Sequence, residues 1–243
     1  MRGIILAGGA GTRLSPLTKV TSKQLLPLYN KPMIYFPLET LMKAGIREFL
    51  FIVAPDHAGD FVKLLGSGKD FGCDFSFEVQ DKPDGLAQAF IIGENFIDKE
   101  NVALILGDNF FEDDFVEPVK SFQSGAMVFA TKVPDPERFG VVEFDANKKV
   151  ISIVEKPKEP KSEYAVTGLY VYDNSVVAKA KSLQPSPRGE LEITDLNNLY
   201  LKEGTLKVEF VPGKWLDTGT FEALYQATTV VREKELAKQA QTT

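Results

Sequence analysis

Apolar residues cluster in short runs along the first half of the chain, and each run ends at glycine or at a turn. Ile4, Ile5, Leu6 and Ala7 are apolar without a break before Gly8, as expected of a strand buried on both faces in a parallel sheet. Phe49 to Val53 and Val102 to Leu106 repeat that pattern, while Phe75, Phe77 and Val79 alternate with polar neighbours and predict a strand exposed on one face. Between the runs the period lengthens. Met33, Ile34, Leu38, Leu41 and Met42 fall near a helical repeat, with Pro32 as a candidate opener, Gly45 as a stop, and Pro37 as either a kink or the true start. Asp60 to Leu65 predicts a short helix stopped by Gly66, and the turn from Gln80 to Gly85 leads into a helix of small residues.

The second half reads differently. Ala126 to Lys132 predicts a strand, Arg138 to Phe144 and Val150 to Pro157 the two arms of a hairpin, and Ala165 to Tyr172 a further strand rich in β-branched and aromatic residues. Ser175 to Leu183 and Glu192 to Lys202 read as helices, Leu206 to Phe210 as a short strand, and Phe221 to about Lys238 as a closing helix. Strand and helix alternate through the first half and strands crowd the second. The fold class that follows is α/β, with a Rossmann-like, mostly parallel central sheet, helices on both faces, and an inserted smaller β-rich part. The chain is expected to be a single domain over 1–243, with parts at about 1–125, 126–220 and 221–243. In such sheets ligands sit beyond the carboxyl ends of the strands. That rule directs attention to Gly8–Arg13, Gln80–Gly85 and Asp108.

Composition removes several classes of function. A net charge of −6 and a pI near 5.1 make the chain a poor match for a nucleic-acid backbone, which takes a basic stripe. The single cysteine, Cys73, has no partner for an internal disulfide and no metal-ligand spacing, which points to a reducing compartment and a packed thiol. The single histidine, His57, excludes a histidine-based triad or a histidine-rich zinc site and sits where a helix begins. The apolar run before Gly8 is too short for a signal peptide, and no stretch has bilayer-spanning length. No membrane contact and a cytoplasmic location are expected.

The candidate chemistry begins at Gly8-Gly9-Ala10-Gly11-Thr12-Arg13. Glycines let a ligand approach the backbone, their N–H groups can converge on an anion, and Arg13 adds a forked cation suited to phosphate. The third glycine of a dinucleotide fingerprint is missing, and so is the Lys-Ser or Lys-Thr pair of a P-loop. Asp108, between Gly107 and Asn109 at a strand end, is a candidate Mg²⁺ ligand, and Asp217 is the candidate second one. Singly, each is more often a turn residue. Lys156 places a cation at a strand end before Pro157, and alone it would read as a solvent-facing lysine. The Glu112-Asp113-Asp114 run reads as a solvated helix start.

With these residues stand Ser22-Lys23-Gln24-Leu25-Leu26-Pro27, Gln80-Asp81-Lys82-Pro83-Asp84-Gly85, Asp135-Pro136-Glu137-Arg138-Phe139-Gly140, Glu155-Lys156-Pro157, Arg188-Gly189-Glu190-Leu191-Glu192 and Trp215-Leu216-Asp217-Thr218-Gly219. Through them the chain resembles the sugar-1-phosphate nucleotidylyltransferases over nearly its whole length, and their thymidylyltransferase branch in particular. The resemblance implies attack of glucose 1-phosphate on the α-phosphorus of dTTP, giving dTDP-glucose for dTDP-rhamnose and polysaccharide biosynthesis. Arg13, Lys23 and Lys156 are then the implied catalytic residues. Gly8, Gly9, Gly11, Thr12, Arg13, Lys23, Gln24, Gln80, Pro83, Gly85 and Asp108 are implied for the nucleotide. Asn109, Gly140, Glu155, Lys156, Val166, Tyr170 and Trp215 are implied for the sugar, and Asp108 and Asp217 for Mg²⁺. The part up to about residue 125 would hold the nucleotide and the next part the sugar. A homo-oligomer, dimer or tetramer, is implied as well.

Two departures from the family pattern stand out. Phe139 occupies a position where many relatives have Tyr, so a sugar contact through that hydroxyl is absent. Long-form relatives continue past the Phe221 helix and build a regulatory site there, so weak inhibition by downstream nucleotide-sugars, or inhibition only by competition at the active site, is expected. Competing readings are the same chemistry with UTP or another sugar 1-phosphate, a silent nucleotide-sugar sensor, and a nicotinamide-dependent oxidoreductase.

Overall fold

The computed structural model describes residues 1–147 and 149–242, and the side chain of the last of these is left aside. Among the described residues the main sheet holds nine strands: β1 (Arg2–Ala7), β2 (Glu48–Val53), β3 (Asp74–Val79), β4 (Val102–Leu106), β5 (Ala126–Lys132), β6 (Gly140–Phe144), β7 (Val150–Glu155), β8 (Tyr164–Tyr172) and β9 (Leu206–Phe210). The order is β7-β6-β8-β4-β1-β2-β3, with β5 and then β9 branching from β8. β1 is parallel to both β2 and β4, β2 is parallel to β3, and β5 is parallel to β9. β8 runs against β4, β5 and β6, and β7 against β6. Hence every strand of this sheet except β7 and β8 points the same way, which is the mostly parallel sheet that the apolar runs predict.

The core follows from the pleat. Ile4 and Leu6 of β1 face one apolar layer and Ile5 and Ala7 the other, all at least nine-tenths buried. The first layer is completed by Phe90 of α3 (Gln88–Ile92), Val176 and Ala180 of α6 (Val176–Ser182), and Leu196 and Tyr200 of α7 (Ile193–Lys202). The second takes Leu38 and Leu41 of α1 (Tyr35–Lys43), Phe61 and Leu65 of α2 (Ala58–Leu65), and Val119 of α5 (Val116–Ser121). A four-residue helix, α4 (Glu94–Ile97), follows α3. The chain enters at β1, moves outward to β2 and β3, then returns to the other side of β1 as β4. This reversal makes a crevice beyond the carboxyl ends of β1 and β4.

β8 is where the sheet forks. Its residues 169–172 pair with β4, Ala165 pairs with β6, and the register with β5 breaks between Val166 and Tyr170. One strand therefore joins the parallel half to the β6–β7 hairpin. A second device ties the ends together. Asn109–Phe111 pairs antiparallel with Trp215–Asp217, placing Asn109 opposite Asp217. Phe110 of this ribbon, with Leu28 and Met33, receives Ala227 and Val231 of α8 (Phe221–Thr242).

Three details differ from expectation. Pro32 lies in a two-residue strand, Lys31–Pro32, and α1 starts at Tyr35, so Pro37 occupies its first turn, where a missing N–H does no harm. The closing helix runs past Lys238 to Thr242. The acidic run Glu112–Asp114 precedes α5 but is engaged rather than merely solvated: Asp113 accepts from the Gly213 N–H at 2.9 Å and Glu112 pairs with Lys234 at 3.0 Å.

Candidate active site

The glycine stretch leaves β1 at the crevice. Gly11 takes φ +61°, in the left-handed region that favours glycine. This turns the chain into a short helical turn, Thr12–Leu14, anchored by the fully buried Leu14. Arg13, beside that anchor, projects with 55% of its side chain exposed. A Cβ on Gly8 would fall on the Gln80 amide, so the bare backbone there is what lets Gln80 cross the floor. Gln80 is held by its donation to Gln88 Oε1 at 2.6 Å, and Gln24 by the Ser22 hydroxyl at 2.6 Å.

Two carboxylates meet at the strand end. Gly107 N–H bonds to Leu6 O at 2.9 Å, carrying the chain out of β4 so that Asp108 faces the crevice. The Thr218 N–H and hydroxyl both donate to the Asp108 carbonyl, at 3.0 and 2.6 Å, and this sets Asp217 beside it. Burial pushes the Asp108 carboxyl up, but the charge and hydrogen bond of Lys23, with the Asn109 amide, hold it below the ordinary carboxylate value. Asp217 is pushed up, by burial and then by the Asp108 charge, against the opposing pull of Lys23, Arg13 and Arg138. Both guanidiniums stand off from Asp217, Arg13 at 3.8 Å and Arg138 at 3.9 Å.

That electrostatic state bears on a metal. The Asp108 charge raises the Asp217 carboxyl, and two carboxylates set side by side call for more positive charge between them. Among the described residues no group of three or more His, Cys, Asp or Glu converges as a ligand set. A cation bound here would take its remaining ligands from water and phosphate, which is the habit of Mg²⁺. The donor set fits.

The cleft has two lobes on either side of Asp108. One, of about 360 Å³, is lined by Gly9, Arg13, Lys23, Gln24, Gln80, Pro83, Gly85 and Asp108. The other, of about 630 Å³, is lined by Arg13, Asp108, Asn109, Gly140, Glu155, Lys156, Val166, Tyr170, Trp215 and Asp217. It opens at the fork of β8. Gly85 has φ +107°, and a Cβ there would enter the Leu191 backbone, so this glycine is required by a close approach.

The larger lobe is polar on one wall. Thr194 donates to Glu155 at 2.5 Å, and Arg188 reaches Glu192 at 2.7 Å and Glu155 at 3.4 Å. Burial pushes Glu192 up, but hydrogen bonds from Arg188 and Ser186 and nearby positive charge hold it below the ordinary value. Burial and then the Glu155 charge push the Tyr170 phenol up, so it faces the lobe uncharged. Lys156 has φ +44°, uncommon outside glycine, and its N–H bonds to Phe139 O at 2.9 Å. The strained residue is thus a lysine at the lobe wall.

The residues singled out in the sequence are gathered, with three exceptions. Gly8, Gly11 and Thr12 shape the loop but line neither lobe. The sequence reading passed over Arg138 and Arg188 as site residues, although both line the larger lobe. Both lie in segments that carry the family resemblance, and an arginine one or two residues before a glycine is the signal that could have found them. Phe139 lines the same lobe and meets Trp215 edge-on at 5.1 Å, so an aromatic contact fills the place where a hydroxyl was missed.

Known proteins share this arrangement. The model of the nucleotidyl transferase family matches residues 2–234. A glucose-1-phosphate thymidylyltransferase of Neisseria meningitidis is 57% identical over 96% of this chain and 83% of its own length, and one from Mycobacterium tuberculosis is 53% identical over 97% and 83%. A crystal structure from Bacillus anthracis, assigned the same activity and holding sucrose, superposes with a TM-score of 0.91 at 50% identity, covering 96% of this chain and 95% of that one. A UDP-glucose pyrophosphorylase solved with UDP-glucose gives a TM-score of 0.83 at 25% identity, over 96% and 98%. By its sequence, its forked sheet and the carboxylate pair in its cleft, the chain belongs to the nucleotidyl transferase family, on the branch that holds the glucose-1-phosphate thymidylyltransferases.

Proposed function

We propose that the chain transfers a thymidylyl group from dTTP to glucose 1-phosphate, giving dTDP-glucose and pyrophosphate. The observation that carries this reading is the meeting of Asp108, Asp217, Lys23 and Arg13 at the junction of the two lobes. In this reading the smaller lobe takes the nucleotide, with the base against Gln80, Pro83 and Gly85. The larger lobe takes the sugar, against Gly140, Glu155, Val166, Tyr170 and Trp215. An oxygen of the sugar phosphate attacks the α-phosphorus in line. The bond from the α-phosphorus to the bridging oxygen breaks, and pyrophosphate leaves with the electron pair. No proton moves in that step, so the work is positioning and neutralisation.

Arg13 and Lys23 neutralise the α-phosphate and the leaving pyrophosphate, and Lys156 orients the attacking phosphate. Asp108 and Asp217 would hold Mg²⁺, which supplies charge neutralisation on the phosphates when bound. The likeness to the pyrophosphorylase solved with UDP-glucose favours UTP as the second reading for the nucleotide. Thymine and uracil differ by one methyl, which discriminates by roughly 10- to 200-fold. Among the described residues no helix is long and apolar enough to cross a membrane. We assign a cytoplasmic location on the buried free thiol of Cys73, and a homo-oligomer on the family resemblance of the sequence alone. Pyrophosphate release, measured over a grid of nucleoside triphosphates and sugar 1-phosphates with Mg²⁺, tests the reading. The expected result is strongest turnover for dTTP with glucose 1-phosphate, and no turnover with any pair overturns it.

A further inference from the structure

Asn109 is 2% exposed and lines the larger lobe next to Asp108, which borders both. Its Oδ1 accepts from the Trp215 indole N–H at 2.6 Å and from the Gly168 N–H at 3.0 Å. Its Nδ2 donates to Asp108 Oδ1 at 3.0 Å. An amide oxygen has two lone pairs, and both are used. The orientation of the amide is fixed by chemistry: both neighbours of Oδ1 are donors, and the neighbour of Nδ2 is a carboxylate. A Cβ on Gly168 would land on Oδ1, so glycine at the fork of β8 is what allows the contact.

The three partners belong to different parts of the cleft. Asp108 sits at the junction of both lobes, while Trp215 and Gly168 line only the larger one. Any ligand that draws the Asp108 carboxylate to a new position pulls on Nδ2. The planar amide passes that displacement to the indole and to the backbone at the fork.

Taking the thymidylyl-transfer reading as given, we propose that Asn109 is a positioning residue that couples the Asp108 carboxylate to the Trp215 indole, so that nucleotide binding sets the wall of the sugar lobe. Coupling of this kind is reciprocal in binding free energy. The coupling uses Oδ1 and one Nδ2 hydrogen, so it stands beside any contact the second Nδ2 hydrogen makes to the sugar.

Trp215 is the one tryptophan in the chain, so its emission reports on this wall alone. Asn109→Asp keeps both acceptor bonds and sets a carboxylate against Asp108 Oδ1 in place of the donor, and measurement above neutral pH keeps the two carboxylates from sharing a proton that would restore the bond. Mg²⁺ with dTTP is titrated into both proteins without sugar phosphate, and occupancy is followed by calorimetry. The expected result is an emission change in the parent that is absent in Asn109→Asp at equal occupancy, with the KM for glucose 1-phosphate raised about five- to tenfold by loss of one ordered hydrogen bond. An undiminished emission change in the variant overturns the proposal. So does an unmoved emission in the parent while nucleotide binding is measured, and so does loss of nucleotide binding in the variant. Absence of any binding heat in the parent instead overturns the reaction reading, and the coupling with it. Circular dichroism checks the fold, and Asn109→Ser, which gives up the bonds to the indole and to Gly168 as well, is expected to show the same loss of the emission change if Asn109→Asp does not fold.

Discussion

Arg13 shows how a residue becomes functional through its neighbours. Leu14 pins its turn and Gly11 supplies the left-handed bend, and the guanidinium is left free to reach phosphate. Arg13→Ala is expected to lower kcat by about a hundredfold, on the order of 3 kcal/mol of barrier, with an unchanged melting curve. Retained turnover in the purified variant would remove Arg13 from the mechanism. Most such residues were legible in the sequence because glycines and strand ends announced them, as with Asp108 after Gly107. Arg188 was not, because its value lies in joining Glu190 and Glu192 of its own turn to Glu155 at the end of β7. Glu192 also gives a pH signature. Its folded carboxyl lies below its unfolded value, so its contribution is complete above the ordinary carboxylate pKa and is lost as pH falls through the lowered one. Glu192→Gln should therefore destabilise by about 1 kcal/mol at neutral pH, a figure reduced for the partly exposed Arg188. Urea melts at descending pH should show the two proteins converging in strongly acidic buffer.

Elements carry the next level of specification. The strands of the parallel half were readable because burial on both faces leaves unbroken apolar runs, as in β1, β2 and β4. The ribbon of Asn109–Phe111 with Trp215–Asp217 was not, since three-residue strands carry too few positions to show a period and pair across nearly half of the chain. The sheet edge at β7 is also invisible in the sequence. There the Asn198 side chain accepts from the Ile153 N–H at 3.2 Å and donates to the Ile153 carbonyl at 2.8 Å, completing a ladder that would otherwise invite another strand. Asn198→Ala should lower stability by about 1 to 2 kcal/mol in urea melts, and Asn198→Asp, which keeps only the acceptor, should fall between. Equal stability of all three proteins would show that water replaces the amide at that edge.

At the scale of the molecule, a chain of net charge −6 presents its cations where anions must meet. The sequence conveyed the charge, the class of fold and Asp108 with Asp217 as a candidate pair, while the ribbon that sets the two side by side shows only in the structure. Backbone pairing of the ribbon and the Thr218 bonds to the Asp108 carbonyl bring the two carboxylates together within the chain itself, so the fold is expected to stand without a cation. Chelation with EDTA should abolish pyrophosphate release and leave the melting temperature where it was. A fall in melting temperature would mean that the metal is structural. The fork at β8 has a mechanical consequence. One strand pairs with β4 through residues 169–172 and with β6 through Ala165, so the parallel half and the hairpin share a spine instead of a hinge. Substrate capture should then proceed by adjustment of loops against a stiff frame, and wholesale rotation of one half over the other would have to tear a sheet apart.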